Sequence, residues 1–302
     1  MFRLEPILRP MVWGSELWVL SGYPERLSVV ADGPCKGMNI NELVAQQGER
    51  LLGRENYRRF GDEFPLLVKF LDVHEPLSIQ VHPSEELAQE RCGQHGKNEM
   101  WYVIRAREGA ELLSGLSRSI TPDEYVRRVS DHTLVDVIAH HSIREGDVFF
   151  IPTGRIHALL PGSYIAEIQQ TSDMTYRLYD YNRPGLDGRL RELHTELAKD
   201  AIDYHVYPEY RTLYEHRTGA EVPLVHCDYF NTSLLDLDAP FTLDLGSLDS
   251  FVVLMNVGGS GTVRCGSDSS TLGSDGCLLV PADARSVEFI PDRGLKVLVA
   301  YI

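Results

Sequence analysis

The amino-acid sequence predicts a mainly β protein, a barrel or a sandwich, with a few short surface helices. The first observation behind this prediction is a series of short apolar or alternating runs that recur along the chain. The second is their spacing, because glycine, proline and aspartate turns separate one run from the next. The runs lie at residues 66–71, 100–104, 148–151, 163–168, 251–255 and 296–302.

Helix signals in the sequence are few and brief. Residues Thr121 to Glu124 combine a capping hydroxyl, a proline in the first turn and a glutamate three residues later, which predicts a helix reaching about Val129. Ser84 can cap another helix over 85–91. Apolar residues among polar ones indicate further helices over 39–52 and 190–199.

The bulk composition describes a chain that can bury a core, and it excludes several classes of partner. Hydrophobic residues make up 43% and charged residues 24% of the 302 residues, which are ordinary values for a globular protein. The net charge of -15 disfavours nucleic acid and anionic membranes, since both require clustered lysine and arginine. The sequence contains no run of ~18 apolar residues and no leader pattern, so we expect neither secretion nor membrane insertion.

The five cysteines are odd in number and include no CxxC pair. This usage argues against a disulfide framework and against a thiolate zinc site. A reducing cytosol fits it best, and we expect a cytoplasmic protein.

The local composition of the sequence changes after Arg211, where Thr, Ser, Asp and Gly become frequent until Pro291. This change predicts a second, smaller β domain with a boundary near Ala220. We therefore expect a first domain over 1–219 and a C-terminal domain over 220–302.

The stretch from Gly146 to His157 carries the most chemical information in the chain. It reads as a strand, a tight turn and a histidine that enters the next strand. The glycines permit the turn and Pro152 stiffens the chain, so that His157 can be presented to a barrel interior. The pattern resembles the second signature motif of cupin barrels. A β-turn followed by a buried histidine is the alternative interpretation.

A second group of polar residues lies upstream and can complete a metal site with His157. Gln80 and His82 are two residues apart, so their side chains point to the same face of a strand. With Glu99 the set offers two imidazoles, a carboxylate and an amide oxygen, which suits a borderline divalent ion such as zinc. A set without thiolate leaves room for water or substrate oxygens, as in a catalytic site.

Residues 276–286 weakly repeat the pattern of 146–157, with one residue fewer between glycine and proline. Ser286 stands where a histidine would be expected. If the two stretches are related, the C-terminal domain keeps the barrel and lacks this metal ligand. Catalysis is then expected in the first domain.

Several motifs, found in order between residues 12 and 194, resemble type I mannose-6-phosphate isomerase, and the shorter bacterial form is the best match. The main ones are 78–83, 96–102 and 167–177, supported by 12–14, 28–30, 179–183, 188–189 and 191–194. The resemblance implies a cupin-type (jelly-roll) β-barrel with a second, smaller degenerate cupin-like domain. It also implies a zinc-dependent aldose–ketose isomerase that interconverts mannose 6-phosphate and fructose 6-phosphate through an enediolate.

The resemblance further implies roles for individual residues, with one zinc ion per chain. The zinc ligands would be Gln80, His82, Glu99 and His157. Arg177 matches the catalytic arginine of the family and would stabilise the negative charge of the enediolate. Glu167 is a candidate for proton handling, with Asp173 as the alternative carboxylate, and the sequence leaves this choice open.

Three further residues are expected near the substrate. Lys97 shares a strand face with Glu99, so its ammonium could assist proton transfer or bind a sugar hydroxyl. Lys69 lies in an apolar run, where its ammonium either reaches solvent or meets an anion in the site. By the family match, Lys69 and Ser78 would lie near the substrate or its phosphate. These cations would make the pocket positive and allow an acidic protein to accept a sugar phosphate.

Two other functions fit parts of the same pattern. A non-catalytic cupin that binds metal and a sugar ligand would keep the four ligands, but it would not need Lys97, Glu167 and Arg177. A metal-dependent oxygenase on the same barrel would use two histidines and one carboxylate, which this chain also offers.

The other histidines and the aromatic residues of the motifs receive a structural interpretation. The remaining histidines, His194 among them, are expected to be structural or exposed. Trp101 and Tyr102 are expected to pack the core, since aromatic residues in strands usually do so.

Overall fold

The computed structural model describes all residues from Met1 to Ile302. It is mainly β, as the sequence predicts, with nineteen strands and six α helices. The strands are β1 (Phe2–Arg3), β2 (Ile7–Met11), β3 (Gly14–Ser21), β4 (Leu66–Val73), β5 (Ile79–Val81), β6 (Glu99–Ala106), β7 (Glu111–Leu116), β8 (Ile138–Ser142), β9 (Val148–Ile151), β10 (His157–Leu159), β11 (Ser163–Gln170), β12 (Tyr176–Tyr179), β13 (Glu221–His226), β14 (Asn231–Leu237), β15 (Phe241–Asp244), β16 (Val252–Cys265), β17 (Asp268–Leu272), β18 (Cys277–Val280) and β19 (Ser286–Tyr301). The helices are α1 (Ile40–Gln47), α2 (Glu49–Leu52), α3 (Arg54–Phe60), α4 (Glu85–Cys92), α5 (Pro122–Ser130) and α6 (Thr195–Ala201). None of the helices has the length and apolar character needed to cross a membrane.

The predicted helix starts are confirmed where the sequence offers a capping side chain. The hydroxyl of Thr121 accepts a hydrogen bond from the backbone N–H of Glu124 over 3.1 Å, at the start of α5. The hydroxyl of Ser84 accepts one from the N–H of Leu87 over 3.2 Å, at the start of α4. Each cap satisfies a backbone donor that the helix itself leaves open.

The helix predicted over 39–52 is divided in two. Asn39 and Glu42 form a capping box at the start of α1, which ends before Gly48. Gly48 has a φ of +53°, in the left-handed region, so the chain turns there and α2 begins at Glu49. The third helix of this series, α3, was not predicted.

The helix predicted over 190–199 is wrong in its first half, because α6 begins only at Thr195. Leu190 forms an isolated β-bridge with Pro184, and the backbone N–H of His194 donates to the carbonyl of Arg177 over 2.8 Å. These contacts hold the segment before α6 outside the helix.

The chain forms two compact units. The first comprises Met1–Ile7, Trp18–Lys69 and Leu213–Ile302, and the second comprises Leu8–Leu17 and Phe70–Thr212. The last part of the chain, from Leu213, thus lies in the same unit as two N-terminal segments. The domain boundary near residue 220 stays a prediction.

The first unit contains an eight-stranded antiparallel sheet. Its strand order is β1-β18-β16-β19-β14-β13, while β15 pairs with β19 and β17 pairs with β16. Alternate side chains of these strands form an apolar core, with Leu254, Phe289 and Val297 among its members. Ser286, the residue in the place of a histidine, is exposed at the start of β19.

The second unit contains a five-stranded sheet in the order β12-β5-β10-β7-β8 and most of a six-stranded sheet in the order β2-β3-β4-β11-β6-β9. Trp101 of β6 shares one apolar core cluster with Leu112 of β7 and Leu159 of β10, so the two sheets face each other across it. A second cluster joins the other face of the five-stranded sheet to Tyr125 of α5 and Ala198 of α6.

Strand register places four polar residues in one row across the five-stranded sheet. Arg177 lies opposite Gln80, Gln80 lies opposite His157, and His157 lies opposite Ser114. Residues directly opposite one another on neighbouring strands have their side chains on the same face of the sheet. Leu159, two residues after His157, belongs to the core between the sheets, so the row faces inward.

Candidate active site

Three buried side chains converge inside the second unit. The ligand atoms of His82, Glu99 and His157 all lie within 4.8 Å of one another. Nε2 of His82 is 3.4 Å from Oε2 of Glu99, and Nε2 of His157 is 3.3 Å from Oε1 of the same carboxylate. The structure thus brings together three of the four predicted metal ligands around a common point.

Local structure positions each member of this cluster. His82 directly follows β5, Glu99 is the first residue of β6, and His157 is the first residue of β10. The backbone N–H of Gly154 donates to the carbonyl of His82 over 2.9 Å. Gly154 has a φ of +87°, so the predicted glycine turn closes against β5 just before His157.

Backbone carbonyls fix the orientation of both imidazoles. Nδ1 of His82 lies 2.7 Å from the carbonyl oxygen of Met174, and Nδ1 of His157 lies 2.8 Å from that of Arg155. Each Nδ1 must therefore carry a proton and donate it, which leaves the lone pair on Nε2, the nitrogen that faces the cluster.

The environment keeps both imidazoles neutral and the carboxylate charged. Burial lowers the pKa of His157 to about 3. Burial, followed by the positive charge of Lys97, also lowers the pKa of His82. Burial acts to raise the pKa of Glu99, but the lowering interactions, led by the positive charge of Lys97, outweigh it and hold that pKa well below its ordinary value.

These groups fit a divalent metal ion. Nε2 of His82 is buried without a hydrogen-bond partner, which is unfavourable unless a further group satisfies it. Two neutral imidazole nitrogens and one carboxylate are the donor set of many catalytic metal sites. His82, Glu99 and His157 could therefore hold a metal cofactor.

Gln80 lies beside the cluster. Its Nε2 is 3.2 Å from Nε2 of His157, while its Oε1 accepts a hydrogen bond from the hydroxyl of Ser78 over 3.4 Å. The side-chain amide thus turns its nitrogen toward His157. A half-turn of the amide would place the oxygen there, as the prediction of Gln80 as a fourth ligand requires.

Comparison with known proteins gives the family. A family model described as phosphomannose isomerase type I, catalytic domain, matches residues 5–112. Mannose-6-phosphate isomerase ManA of Bacillus subtilis (strain 168) is 30% identical over 281 residues, 87% of this chain and 87% of the relative. Mannose-6-phosphate isomerase of Streptococcus mutans is 31% identical over 291 residues, 95% of this chain and 88% of the relative. The chain belongs to the type I phosphomannose isomerase family.

A solved structure of the phosphomannose isomerase family confirms the predicted fold. The crystal structure of mannose 6-phosphate isomerase from Bacillus subtilis superimposes with a TM-score of 0.89 at 29% sequence identity. The match covers 100% of this chain and 99% of that chain. The mainly β, cupin-type architecture expected from the sequence is thus correct.

Two cationic residues are expected in a phosphomannose isomerase site, and Lys97 lies directly against the cluster. Nζ of Lys97 is 3.1 Å from Oε2 of Glu99, and both side chains are buried. Arg177 lies opposite Gln80 on the neighbouring strand. Burial, followed by the charge of Arg191, lowers the pKa of Arg177, but a guanidinium remains charged throughout the working pH range.

The two candidate carboxylates differ in their surroundings. Glu167 is buried on β11 opposite Trp101, whose indole N–H donates to Oε2 of Glu167 over 3.0 Å. The side chain of Asp173 is 40% exposed and lies 3.8 Å from Arg9. Only Glu167 therefore lies in the buried interior of this phosphomannose isomerase family member.

Lys69 and Ser78 lie in different parts of the chain fold. Lys69 is buried in β4, at the end of a segment of the first unit. Ser78 is buried directly before β5, in the second unit, two residues from Gln80. Their part in binding a substrate stays a prediction.

Trp101 is a residue whose role the sequence analysis missed. Its ring packs in the core, as expected, but it also meets the ring of His157 edge-on, with centroids 5.3 Å apart. It therefore contacts both a candidate metal ligand and a candidate carboxylate. The sequence position of Trp101 could have indicated this role, because Trp101 stands two residues after Glu99 and its side chain therefore lies on the same strand face.

Proposed function

We propose that the protein is a zinc-dependent aldose–ketose isomerase that interconverts mannose 6-phosphate and fructose 6-phosphate. The observation that carries this proposal is the buried cluster of His82, Glu99 and His157 in a chain of the type I phosphomannose isomerase family. The free cysteines are consistent with a reducing compartment, and we propose a cytoplasmic location.

The reaction moves hydrogen between C1 and C2 of the open-chain sugar. A base removes the proton from C2 of mannose 6-phosphate, the C–H electron pair forms the C1–C2 double bond, and the C1 carbonyl oxygen becomes an enediolate oxyanion. A proton then returns to C1, the C1 oxyanion takes up a proton and becomes a hydroxyl, and the C2 oxygen loses its proton and becomes the ketone. The site must therefore handle protons and stabilise an oxyanion.

A zinc ion held by Gln80, His82, Glu99 and His157 would supply Lewis-acid polarisation of the C1 or C2 oxygen. The protein contributes the neutral Nε2 atoms and the ionised carboxylate that bind it. Both imidazoles are fixed by carbonyl groups, so the ligands are held in the orientation they need before the ion arrives.

Glu167 is proposed as the group that takes and returns the proton. It is buried and held by the indole of Trp101, whereas Asp173 is largely exposed and lies near Arg9. A general base must be held within reach of the proton it takes, and the indole contact holds this carboxylate in the buried interior.

Positive charge is proposed to stabilise both the enediolate and the substrate phosphate. Arg177 would face the oxyanion, and Lys97 would bind a hydroxyl or assist proton transfer. Lys69 and Ser78 would lie near the phosphate. Such local charge allows a protein of net charge -15 to bind an anionic sugar phosphate.

The decisive experiment measures conversion of mannose 6-phosphate to fructose 6-phosphate by the purified protein, together with its metal content. We expect turnover that is lost on chelation, restored by zinc and abolished in His157→Ala. The exposed His140, which pairs with Glu111 at the surface, provides the control variant His140→Ala.

Two results would overturn the proposal. Metal-replete protein without turnover would indicate a cupin that binds metal and a sugar ligand. Oxygen uptake with a sugar substrate, in the absence of isomerisation, would indicate an oxygenase.

A further inference from the structure

Arg177 is held by a segment that returns to β12 from fifteen to seventeen residues further along the chain. The backbone N–H of Arg177 donates to Nδ1 of His194 over 3.0 Å, and the N–H of His194 donates to the carbonyl of Arg177 over 2.8 Å. The guanidinium Nη1 donates to the carbonyl of Glu192 over 3.0 Å. Both the backbone and the side chain of Arg177 are thus fixed by residues 192–194.

The contact needs a specific form of His194. Nδ1 can accept the N–H of Arg177 only when it carries a lone pair, so the imidazole must be neutral with its proton on Nε2. Burial, followed by the charge of Arg177, lowers the pKa of His194 and so favours this neutral form. The ring also packs beside Tyr176, with centroids 6.0 Å apart.

The loop that delivers His194 is closed by ion pairs. Asp180 is buried and receives hydrogen bonds from the guanidinium groups of Arg183 and Arg191, the shortest of them 2.6 Å from Nη2 of Arg191. Tyr181 and Asn182 have φ values of +57° and +53°, a conformation that non-glycine residues adopt at a cost. Ion pairs to the buried Asp180 thus hold a strained turn, and the chain returns from it to Arg177.

β12 is an edge strand of the five-stranded sheet, with β5 as its partner on one side. On its other side, the N–H and carbonyl groups of Arg177 would be open without residues 192–194. Since Arg177 lies opposite Gln80, a shift of β12 at this point would move the guanidinium relative to the cluster.

We propose that His194 is a positioning residue for Arg177: its imidazole accepts the Arg177 amide proton and fixes the guanidinium where the oxyanion of the substrate forms. This inference rests on the proposed isomerase function. The backbone of His194 also precedes α6, where its carbonyl accepts from Ala198, but any residue would supply that contact. Only a side chain with an acceptor in the place of Nδ1 can serve Arg177.

The test compares His194→Asn, which keeps an acceptor atom near the position of Nδ1, with His194→Ala, which does not. We expect His194→Ala to lower kcat for mannose 6-phosphate by about 10- to 100-fold with KM changed by less than about threefold, since misplacing a group that acts on the transition state affects kcat. His194→Asn should stay within about threefold of wild type. The exposed His205, placed after α6, gives the control His205→Ala, and metal content and Tm are measured for every variant.

Two kinetic outcomes would overturn the inference. One is wild-type kcat in folded His194→Ala. The other is an equal loss of kcat in the Asn and Ala variants, because the acceptor atom would then be irrelevant.

A second measurement does not depend on activity or on the Ala variant being folded. In wild-type protein labelled with nitrogen-15, a hydrogen bond from Arg177 N to His194 Nδ1 gives a through-bond coupling between these two nitrogens. The coupling should be present in wild type and absent in His194→Asn, and its absence in wild type would contradict the inference. If wild type shows the coupling but no isomerisation, the contact stands and the proposed function fails.

Discussion

The indole N–H of Trp101 donates a hydrogen bond to Oε2 of Glu167 over 3.0 Å, while the same ring meets His157 edge-on. Trp101 and Glu167 lie directly opposite each other on β6 and β11. One side chain thus connects the carboxylate proposed for proton transfer to a proposed metal ligand. The position of Glu167 therefore depends on the indole N–H of Trp101, a hydrogen-bond donor that a phenylalanine in its place would not supply.

Substituting Trp101→Phe should therefore impair turnover more than metal binding. The buried Oε2 of Glu167 loses its donor, and we expect kcat to fall by about tenfold or more, with a loss of about 1–3 kcal/mol in the free energy of unfolding. Kinetics, metal content and urea unfolding measure the three effects. The control is Trp13→Phe, a buried tryptophan of the same core cluster, which should lose stability while keeping kcat. Equal kcat losses in the two variants would contradict the role assigned to the indole donor.

Removing the ammonium of Lys97 should destabilise the metal-free protein more than the zinc-bound protein. Lys97 and Glu99 form a buried ion pair, and Lys97→Met leaves the carboxylate without this partner. We expect a loss of about 3–5 kcal/mol in the free energy of unfolding in the presence of a chelator. The loss should be smaller with zinc, because a bound cation offsets the missing charge. Urea unfolding under both conditions checks this, and an equal loss in both would argue against metal binding at Glu99.

Metal affinity should depend weakly on pH in the mildly acidic range. Two histidines with ordinary pKa values would lose about 100-fold in metal affinity between pH 7.5 and 5.5, since each imidazole must release a proton to bind. The pKa of His157 is about 3 and that of His82 is also lowered, so protons compete less and we expect a loss of about tenfold or less. Competition against a chelator of known affinity at each pH measures this, and a loss of 100-fold or more would refute the expectation.

The sequence predicted those features that depend on residues close together in the chain: helix caps, turns and the alternation of side chains along a strand. The caps at Thr121 and Ser84 depend on residues within one helical turn, and both form. The turn before His157 depends on Pro152 and Gly154, and it brings His157 beside the other ligands. That the side chains of Gln80 and His82 point to the same face was predicted from strand alternation alone, which does not depend on the rest of the fold.

Contacts between distant segments could not be predicted in the same way. The apolar spacing over 190–199 indicates a helix, yet Asp180 binds Arg191 and Arg177 binds His194, so the first half is not helical. Similarly, nothing in the spacing around Trp101 reveals that its N–H meets Glu167, because their sequence separation is large and the partner is fixed by β11 register. The polar contacts that position the candidate site therefore could not be predicted from the sequence and are visible only in the structure.

Gly115 offers a test of how tightly the strand beside the site is packed. It follows Ser114, the residue opposite His157, and it has a φ of +78°. A Cβ at this position would lie 2.0 Å from the ring of Tyr210, whose hydroxyl donates to the carbonyl of Leu116 over 2.9 Å. Both the backbone conformation and the ring therefore oppose a side chain here.

Gly115→Ala should reduce the free energy of unfolding by more than about 3 kcal/mol, because backbone strain and a clash with a buried ring add together. The matched control is Gly109→Ala, which has a φ of +74° with nothing within 4 Å of the added Cβ. It carries the strain alone and should lose about 1–2 kcal/mol. Urea unfolding of both variants gives the difference, which isolates the contact with Tyr210. Similar losses in the two variants would mean that Tyr210 moves aside easily, and that β7 beside His157 is held by backbone conformation instead of by the packed ring.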